Sequence, residues 1–308
     1  MVAHVGPRWH DPASSTLQAR AVPDHRPSPP RVRRCGVTNW VIDLDGVMWR
    51  GSRAIPGSTE AVAELIERGD RVVFCTNNSA EAGTQKAARL VEDGLPEGVE
   101  VVTSADAVAG LVRPGEVARC LGGPGLRRAL RDAGAEVHAA AEELPLDPHG
   151  APVPIDVVVV GLARDADYTQ IDRAAATVRR GARLLASNAD ATYPGTDRLY
   201  PGCGAILAAV ETAAGTSAEV AGKPHEPMAE VLRRRLDGHG VVIGDRADTD
   251  GRLAQLLDWP FALVLSGVTT ADDLPVDVPT AVVAEDLRTV VDTHADWSGR
   301  SPDAAPEG

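Results

Sequence analysis

The chain has 308 residues, 44% of them hydrophobic and only 3% aromatic, which is enough for about two domains with cores filled by Val, Leu, Ala and Ile. Its net charge of −13 argues against a nucleic-acid surface, no apolar run is long enough to span a membrane, and the N-terminus lacks the apolar stretch of a secretory signal. The four cysteines, Cys35, Cys75, Cys120 and Cys203, are far apart and form no CxxC pair, so neither a zinc site nor a disulfide framework is expected and the setting is read as reduced and cytoplasmic.

Residues 1–34 are rich in Pro, Arg, His and Ser without hydrophobic period, and are expected to be a disordered, weakly basic tail. From Val37 the pattern changes to strands alternating with helices, the signature of an α/β fold with parallel sheet. Trp40-Val41-Ile42 reads as a buried strand that opens into Asp43-Leu44-Asp45-Gly46-Val47. The period of two points Asp43 and Asp45 the same way. Two adjacent carboxylates repel, and a hard divalent cation such as Mg²⁺ would offset that cost. A solvated Asp-Gly turn has the same composition, so the stretch alone leaves both readings open.

Helical spacing of Ala61, Val62, Leu65 and Ile66 predicts a helix over Thr59–Arg68, ended by Gly69. Val72–Cys75 is a second buried strand that runs into Thr76-Asn77-Asn78-Ser79, with Cys75 read as a small buried hydrophobe. Asn78 or Ser79 could cap the following helix, which extends to about Glu92, and free amides at its start could bind an anion. Val99–Val102 is a strand and Ser104–Leu111 a helix, and Arg113-Pro114-Gly115 looks like a boundary. A second α/β stretch follows, with strands at Val117–Leu121, Val157–Val160 and Leu184–Ala186 and helices at Gly125–Ala133 and Tyr168–Arg179. Gly122-Gly123-Pro124-Gly125 lacks the spacing of a phosphate loop and is read as a strand-to-helix turn, and Ala139–Pro154 as a polar loop. Beyond Pro201-Gly202-Cys203-Gly204 lies an Ala-rich helix, Ala205–Ala213. A short apolar run then ends in Gly222-Lys223-Pro224, which is not a nucleotide-binding P-loop ending. Met228–Leu236 is a helix and Val241–Ile243 a strand ending in Gly244-Asp245-Arg246-Ala247-Asp248-Thr249-Asp250. Leu253–Leu257 is a short helix, Phe261–Leu265 a strand, and the chain from about 298 to 308 is expected to fray.

Charged or amide-rich residues thus stand at four expected strand ends, at Asp43 and Asp45, Thr76 and Asn77, Lys223, and Asp245 and Asp250. In one parallel sheet these ends share an edge and converge. Asp43 and Asp245 can hold Mg²⁺, while Lys223, Thr76 and backbone amides can hold phosphate oxygens. Asp43 can attack phosphorus, and Asp45 can protonate the leaving oxygen and then activate water.

These stretches, together with Asn188–Pro194 and Pro201–Gly204, resemble the motifs of the haloacid dehalogenase-like (HAD) superfamily, and more narrowly its NagD / p-nitrophenylphosphatase-like subfamily. The resemblance covers about Val37 to Thr269. It implies a Rossmann-like core, discontinuous over 35–112 and 201–297, with an inserted α/β C2-type cap over 113–200. It further implies a Mg²⁺-dependent phosphomonoesterase for a small phosphorylated metabolite, such as a sugar phosphate, glycerol phosphate, phosphoglycolate or pyridoxal phosphate. Asp43 would then be nucleophile and metal ligand. Asp45 would be the acid/base, binding Mg²⁺ through its main-chain carbonyl. Thr76, Asn77, Asn78 and Lys223 would contact phosphate, Asp245 would anchor the metal and Asp250 would stand behind it or act through water. In the cap, Asn188, Asp190 and Tyr193 would face the substrate, and the family often dimerises. Met48-Trp49 departs from the smaller or aliphatic residues usual after Val47, so the pocket is expected to be partly filled there. Two rival readings are a phosphomutase on the same core and a non-catalytic binding protein on a degenerate one. The intact Asp43, Asp45, Lys223 and Asp245 oppose the second.

Overall fold

The computed structural model describes residues 38–146, 148–195 and 198–294. The expected tails at 1–34 and 298–308, and Cys35, lie outside the described residues.

The chain opens with β1 (Asn39–Ile42), whose Trp40, Val41 and Ile42 are all buried because both sheet faces are covered. A small antiparallel hairpin follows, β2 (Trp49–Arg50) with β3 (Arg53–Ala54), and then α1 (Ser58–Glu67). Next come β4 (Arg71–Thr76), α2 (Gly83–Glu92), β5 (Glu100–Thr103) and α3 (Ser104–Ala109). The Thr103 side chain caps α3 by accepting from the Asp106 amide.

The chain then builds β6 (Val117–Leu121), α4 (Pro124–Asp132), β7 (Glu136–Ala139), β8 (Val157–Val160), α5 (Tyr168–Arg179) and β9 (Arg183–Ala186). A second hairpin, β10 (Thr192–Pro194) with β11 (Leu199–Pro201), precedes α6 (Cys203–Ala214) and β12 (Glu219–Val220). The remainder is α7 (Glu226–Arg233), β13 (Gly240–Gly244), α8 (Arg252–Leu257), β14 (Phe261–Val264), β15 (Val282–Ala284) and α9 (Leu287–His294).

Two parallel sheets result. The larger runs β15-β14-β13-β1-β4-β5 and the smaller β12-β9-β8-β6-β7. In the larger sheet the chain leaves β1 towards β4 and β5 and later returns on its other side through β13, β14 and β15. The strand order therefore reverses at β1, where an open α/β sheet forms its crevice. Alternate residues feed two cores. Trp40, Ile42, Phe74, Ile243 and Val264 pack on one face, and Val41, Val73, Cys75, Val242 and Leu263 on the other. The second of these clusters continues without a break to Ala118, Val157 and Leu185 of the smaller sheet. The architecture is a Rossmann-like α/β core with parallel sheet and an inserted α/β cap.

The sequence pattern expects the stretch from residue 201 in the core; in the structure β12 pairs in parallel with β9 of the smaller sheet. Leu207 and Val210 of α6 are buried with Ala174 and Val178 of α5. The Ala-rich pattern of α6 identifies a buried helix without indicating which sheet it covers. The edge strands β7 and β15 and both hairpins carry no clear sequence pattern, because each strand is short and only partly covered, and the pattern does not mark α9. Met48 and Trp49 belong to the core beneath α1, buried with Val62 and Leu65.

Candidate active site

The β1 ladder extends one residue past the strand, since the Asp43 amide donates to the Ile243 carbonyl at 2.9 Å. That fixes Asp43 at the switch point between β1 and β13. Asp43 is 7% exposed and Lys223 is 3% exposed, so any charge on either must be met by the other groups present. The Lys223 ammonium donates to Asp43 Oδ1 and to Asp250 Oδ1, both at 2.6 Å, and to the Cys75 carbonyl at 2.9 Å. All three of its protons are thereby engaged. Burial lowers the affinity of Lys223 for its proton, but Asp250 and Asp43 outweigh it and hold the ammonium well above the ordinary lysine range.

Lys223 does not arrive on a strand of the larger sheet, as its position after an apolar run suggested. It follows β12 of the smaller sheet and reaches across. Its backbone is held by Asn77, whose Oδ1 accepts from the Lys223 amide at 2.8 Å and whose Nδ2 donates to the Lys223 carbonyl at 3.0 Å. The same Nδ2 donates to the Asp190 carboxylate at 3.0 and 3.2 Å. The Asn77 carbonyl accepts from Ser104 Oγ and from Asn188 Nδ2, both at 2.6 Å. Asn77 and Asn188 are therefore positioning residues, with side chains committed to protein partners. Burial raises the Asp190 carboxyl above the usual carboxylate range, against the pull of Arg246 and Asn77.

Asp250 is brought back by a π-type turn over Ala247–Gly251, in which the Gly251 amide reaches the Arg246 carbonyl five residues earlier at 3.3 Å. Asp43, Asp245 and Asp250 each place a carboxylate oxygen within 4.8 Å of the others. One ammonium faces these three groups. Burial pushes Asp43 well up, with Asp250 and Asp245 adding to it and Lys223 opposing. Burial and Asp250 push Asp245 up to about 7. Asp245 Oδ2 accepts from the Val268 amide at 2.6 Å, whereas Oδ1 is buried and has no hydrogen-bond partner. An orphaned buried oxygen costs about 1–3 kcal/mol unless something binds it. Oxygen-only donors, excess negative charge and that bare atom fit a hard divalent cation. The fit is close, because a Cβ on Gly267 or Gly46 would overlap the Asp245 carboxylate.

The structure thus gathers Asp43, Asp245 and Asp250 by their carboxylates. The Asp45 side chain lies outside that cluster and accepts from Trp49 Nε1 at 3.0 Å. Thr76 Oγ1 accepts from the Asn78 amide at 3.1 Å, and Asn78 Oδ1 from the Ala80 amide at 3.1 Å, so this segment is a self-bonded turn that lines the pocket. Tyr193 stacks on Tyr200 with ring centroids 5.7 Å apart and lines the same pocket. Two neighbours were given no role in the sequence. Arg246 lines the pocket and pairs with Asp248 at 2.8 Å, and Trp49 holds Asp45. Their only signals were adjacency to Asp245 and a spacing of four from Asp45. Cys75 is fully buried, and burial pushes its thiol up to about 12.

A Rossmann-like core and an inserted α/β cap, with ionisable groups gathered where they meet, are the build of a capped α/β hydrolase. Models of the haloacid dehalogenase-like hydrolases match residues 40–136, and of the HAD-hydrolase-like group residues 220–290. The chain is 33% identical over 263 residues to an acid sugar phosphatase of Staphylococcus aureus, covering 82% of this chain and 96% of that protein. It also resembles the solved glycerol phosphate phosphatase of Mycobacterium tuberculosis in complex with magnesium, with 32% identity, a TM-score of 0.71, and coverage of 82% and 76%. A p-nitrophenyl phosphatase from Archaeoglobus fulgidus is 28% identical with a TM-score of 0.72, over 83% and 98% of the two chains. The chain belongs to the haloacid dehalogenase-like hydrolase family.

Proposed function

We infer that this protein is a Mg²⁺-dependent phosphomonoesterase that hydrolyses a small phosphorylated metabolite, of the sugar phosphate or glycerol phosphate kind named for its relatives. The observation that carries the reading is the buried Asp43–Lys223 pair at 2.6 Å beside the unpartnered Asp245 Oδ1. Asp43, Asp245 and the Asp45 main-chain carbonyl would hold the cation, with Asp250 close behind. When bound, the cation supplies positive charge that offsets the charge developing on the phosphoryl oxygens.

The residues of the chain divide the reaction into two steps. An Asp43 carboxylate oxygen attacks phosphorus, the bond from phosphorus to the ester oxygen breaks, and Asp45 gives its proton to the departing alkoxide. In the second step Asp45, now a carboxylate, takes a proton from water. The resulting hydroxide attacks phosphorus, and the bond to Asp43 breaks to release inorganic phosphate. Trp49 orients Asp45 through its Nε1 hydrogen bond. Lys223 opposes the protonation of Asp43 that burial favours, and its ammonium offsets charge on the phosphoryl group that Asp43 attacks. The Thr76–Asn78 backbone receives the other oxygens, and Tyr193 meets the leaving group.

We place the cap at about residues 113–221, with the core on either side, because β12 closes the smaller sheet. Cytoplasmic location and homodimer assembly belong to the same proposal, checked by fractionation and light scattering. A phosphate-release assay over a panel of phosphorylated metabolites and p-nitrophenyl phosphate, with and without Mg²⁺, tests the activity. Mg²⁺-dependent turnover that vanishes in Asp43→Asn is expected. Turnover indifferent to both overturns the reading.

A further inference from the structure

Beyond Asp45 and Tyr193 the pocket widens into an outer chamber, which shares Asn78, Leu162 and Pro194 with the inner one. Its charged lining runs against the chain as a whole. Lys86, Arg89 and Arg164 line it, opposed by Glu81 and by Asp45 at its inner edge, in a protein of net charge −13.

The two arginines lie against aromatic rings, and among the described residues none of the three cations has a carboxylate closer than 3.5 Å. Lys86 and Arg89 lie three residues apart on α2 and so share one face. The Lys86 side chain is only 5% exposed, yet its carboxylate partner among the described residues, Glu81, stands at 3.5 Å and is itself 63% exposed. The Arg89 guanidinium lies 3.9 Å from the Trp49 ring centre, donates from one Nη to the Gly51 carbonyl at 3.4 Å, and has Asp93 as its carboxylate neighbour at 3.9 Å, so part of its fork stays open. Arg164 lies 5.4 Å from the Tyr193 ring centre and makes no hydrogen bond or ion pair among the described residues. An aromatic face positions a guanidinium while leaving its N–H fork free. Since Tyr193 lines both chambers, that free fork stands at their junction.

We propose that the outer chamber receives a second anionic group carried by the leaving group, so that the preferred substrates are phosphomonoesters of alcohols bearing a carboxylate or a further phosphate. The proposal rests on the phosphatase reading above and names the substrate class of that site. Such a group would meet the Arg164 and Arg89 forks and the Lys86 ammonium while its phosphoryl group sits at Asp43. Charged hydrogen bonds of this kind are made with geometric selectivity for carboxylate and phosphate.

The test compares matched substrate pairs on the full chain with Mg²⁺. sn-Glycerol 1-phosphate and D-3-phosphoglycerate share the configuration at C2 and differ only in whether the far end is an alcohol or a carboxylate. Fructose 6-phosphate and fructose 1,6-bisphosphate make the corresponding phosphate pair. At least one anionic member is expected to show a kcat/KM about tenfold or more above its partner, a gap of about 1.4 kcal/mol in transition-state binding, and the pair that shows it identifies the anion. Raising the ionic strength should narrow that ratio. Arg164 is exposed, so Arg164→Gln is not expected to threaten folding, and it should shrink the ratio severalfold. Arg164→Glu should invert it, and Arg164→Lys should restore part of it. Equal or lower kcat/KM for both anionic members, or ratios unmoved by Arg164→Glu, overturns the proposal while leaving the phosphatase reading standing. No turnover of any member, nor of p-nitrophenyl phosphate, removes that reading and this proposal together.

Discussion

The larger sheet ends β1, β4 and β13 in Asp43, Thr76-Asn77 and Asp245, whereas the smaller sheet ends β6, β8 and β9 in Gly122-Gly123, Gly161 and Ser187-Asn188. Both are parallel α/β sheets with buried strands, so the difference lies in what the strand ends are used for. In the first, buried charges are packed together at a cost that only a ligand, a cation or one another can offset. In the second, small residues let the segment after β4 approach. A Cβ on Gly125 would overlap the backbone of Glu81 and Ala82, and Ser187 Oγ and Ser79 Oγ share a hydrogen bond at 2.9 Å. Chemistry sits on one sheet and its fit is supplied by the other. Lys223 joins the two, leaving the smaller sheet to pair with Asp43.

If that division holds, changes on the two sides should produce different kinds of damage. The largest effect belongs to Asp43→Asn, which should cut kcat by more than about a thousandfold. Its melting temperature without Mg²⁺ should be equal or higher, because one of three crowded carboxylates is gone. A large loss of stability in that variant would break the comparison. Asp45→Asn should lower kcat by about a hundredfold to ten-thousandfold, and a burst of the first product would reveal which half-reaction suffers more.

The metal-free site should also respond to pH in a defined sense. Burial and Asp250 raise Asp245 from an ordinary value of 3.8 to about 7, and Asp43 is raised too. Between those values the folded state binds more protons than the unfolded one, so stability falls as pH rises from about 4 to about 7. In EDTA the melting temperature should therefore decline by several degrees over that range. Mg²⁺ should remove the decline, and its apparent affinity should increase as pH passes through about 7. A flat profile in EDTA would show that the carboxylates are neutralised in some other way.

On the other sheet, Gly125→Ala should cost about 1–3 kcal/mol of stability through backbone overlap. Its activity loss should follow the displaced Thr76–Ser79 segment rather than any lost reacting group. Calorimetry with kinetics checks this, and a fully stable but inactive variant would contradict it. The smallest effect is expected from Trp49→Phe, which keeps the ring that carries Arg89 and removes only the bond to Asp45, at about 1 kcal/mol. A severalfold fall in kcat with little change in KM is the expected result.

The sequence by itself determined most of the larger sheet and the residues that cluster on it. Runs such as Trp40–Ile42 and Val241–Ile243 are apolar without alternation, which only a doubly covered strand requires. Acidic residues placed directly after such runs stand at strand ends wherever the sheet is parallel, so Asp43 and Asp245 were legible from pattern alone. Tertiary structure decided the rest. It placed β12 and α6 on the smaller sheet, routed Lys223 across, committed the Asn77 and Asn188 side chains to protein partners, and brought Asp250 to the carboxylates of Asp43 and Asp245. It also set Lys86, Arg89 and Arg164 around one chamber. Local periodicity reports which face of an element is buried, while the partner against which it is buried depends on contacts between residues far apart in the chain, 180 positions in the Asp43–Lys223 pair and 220 in the Gly46–Ser266 one.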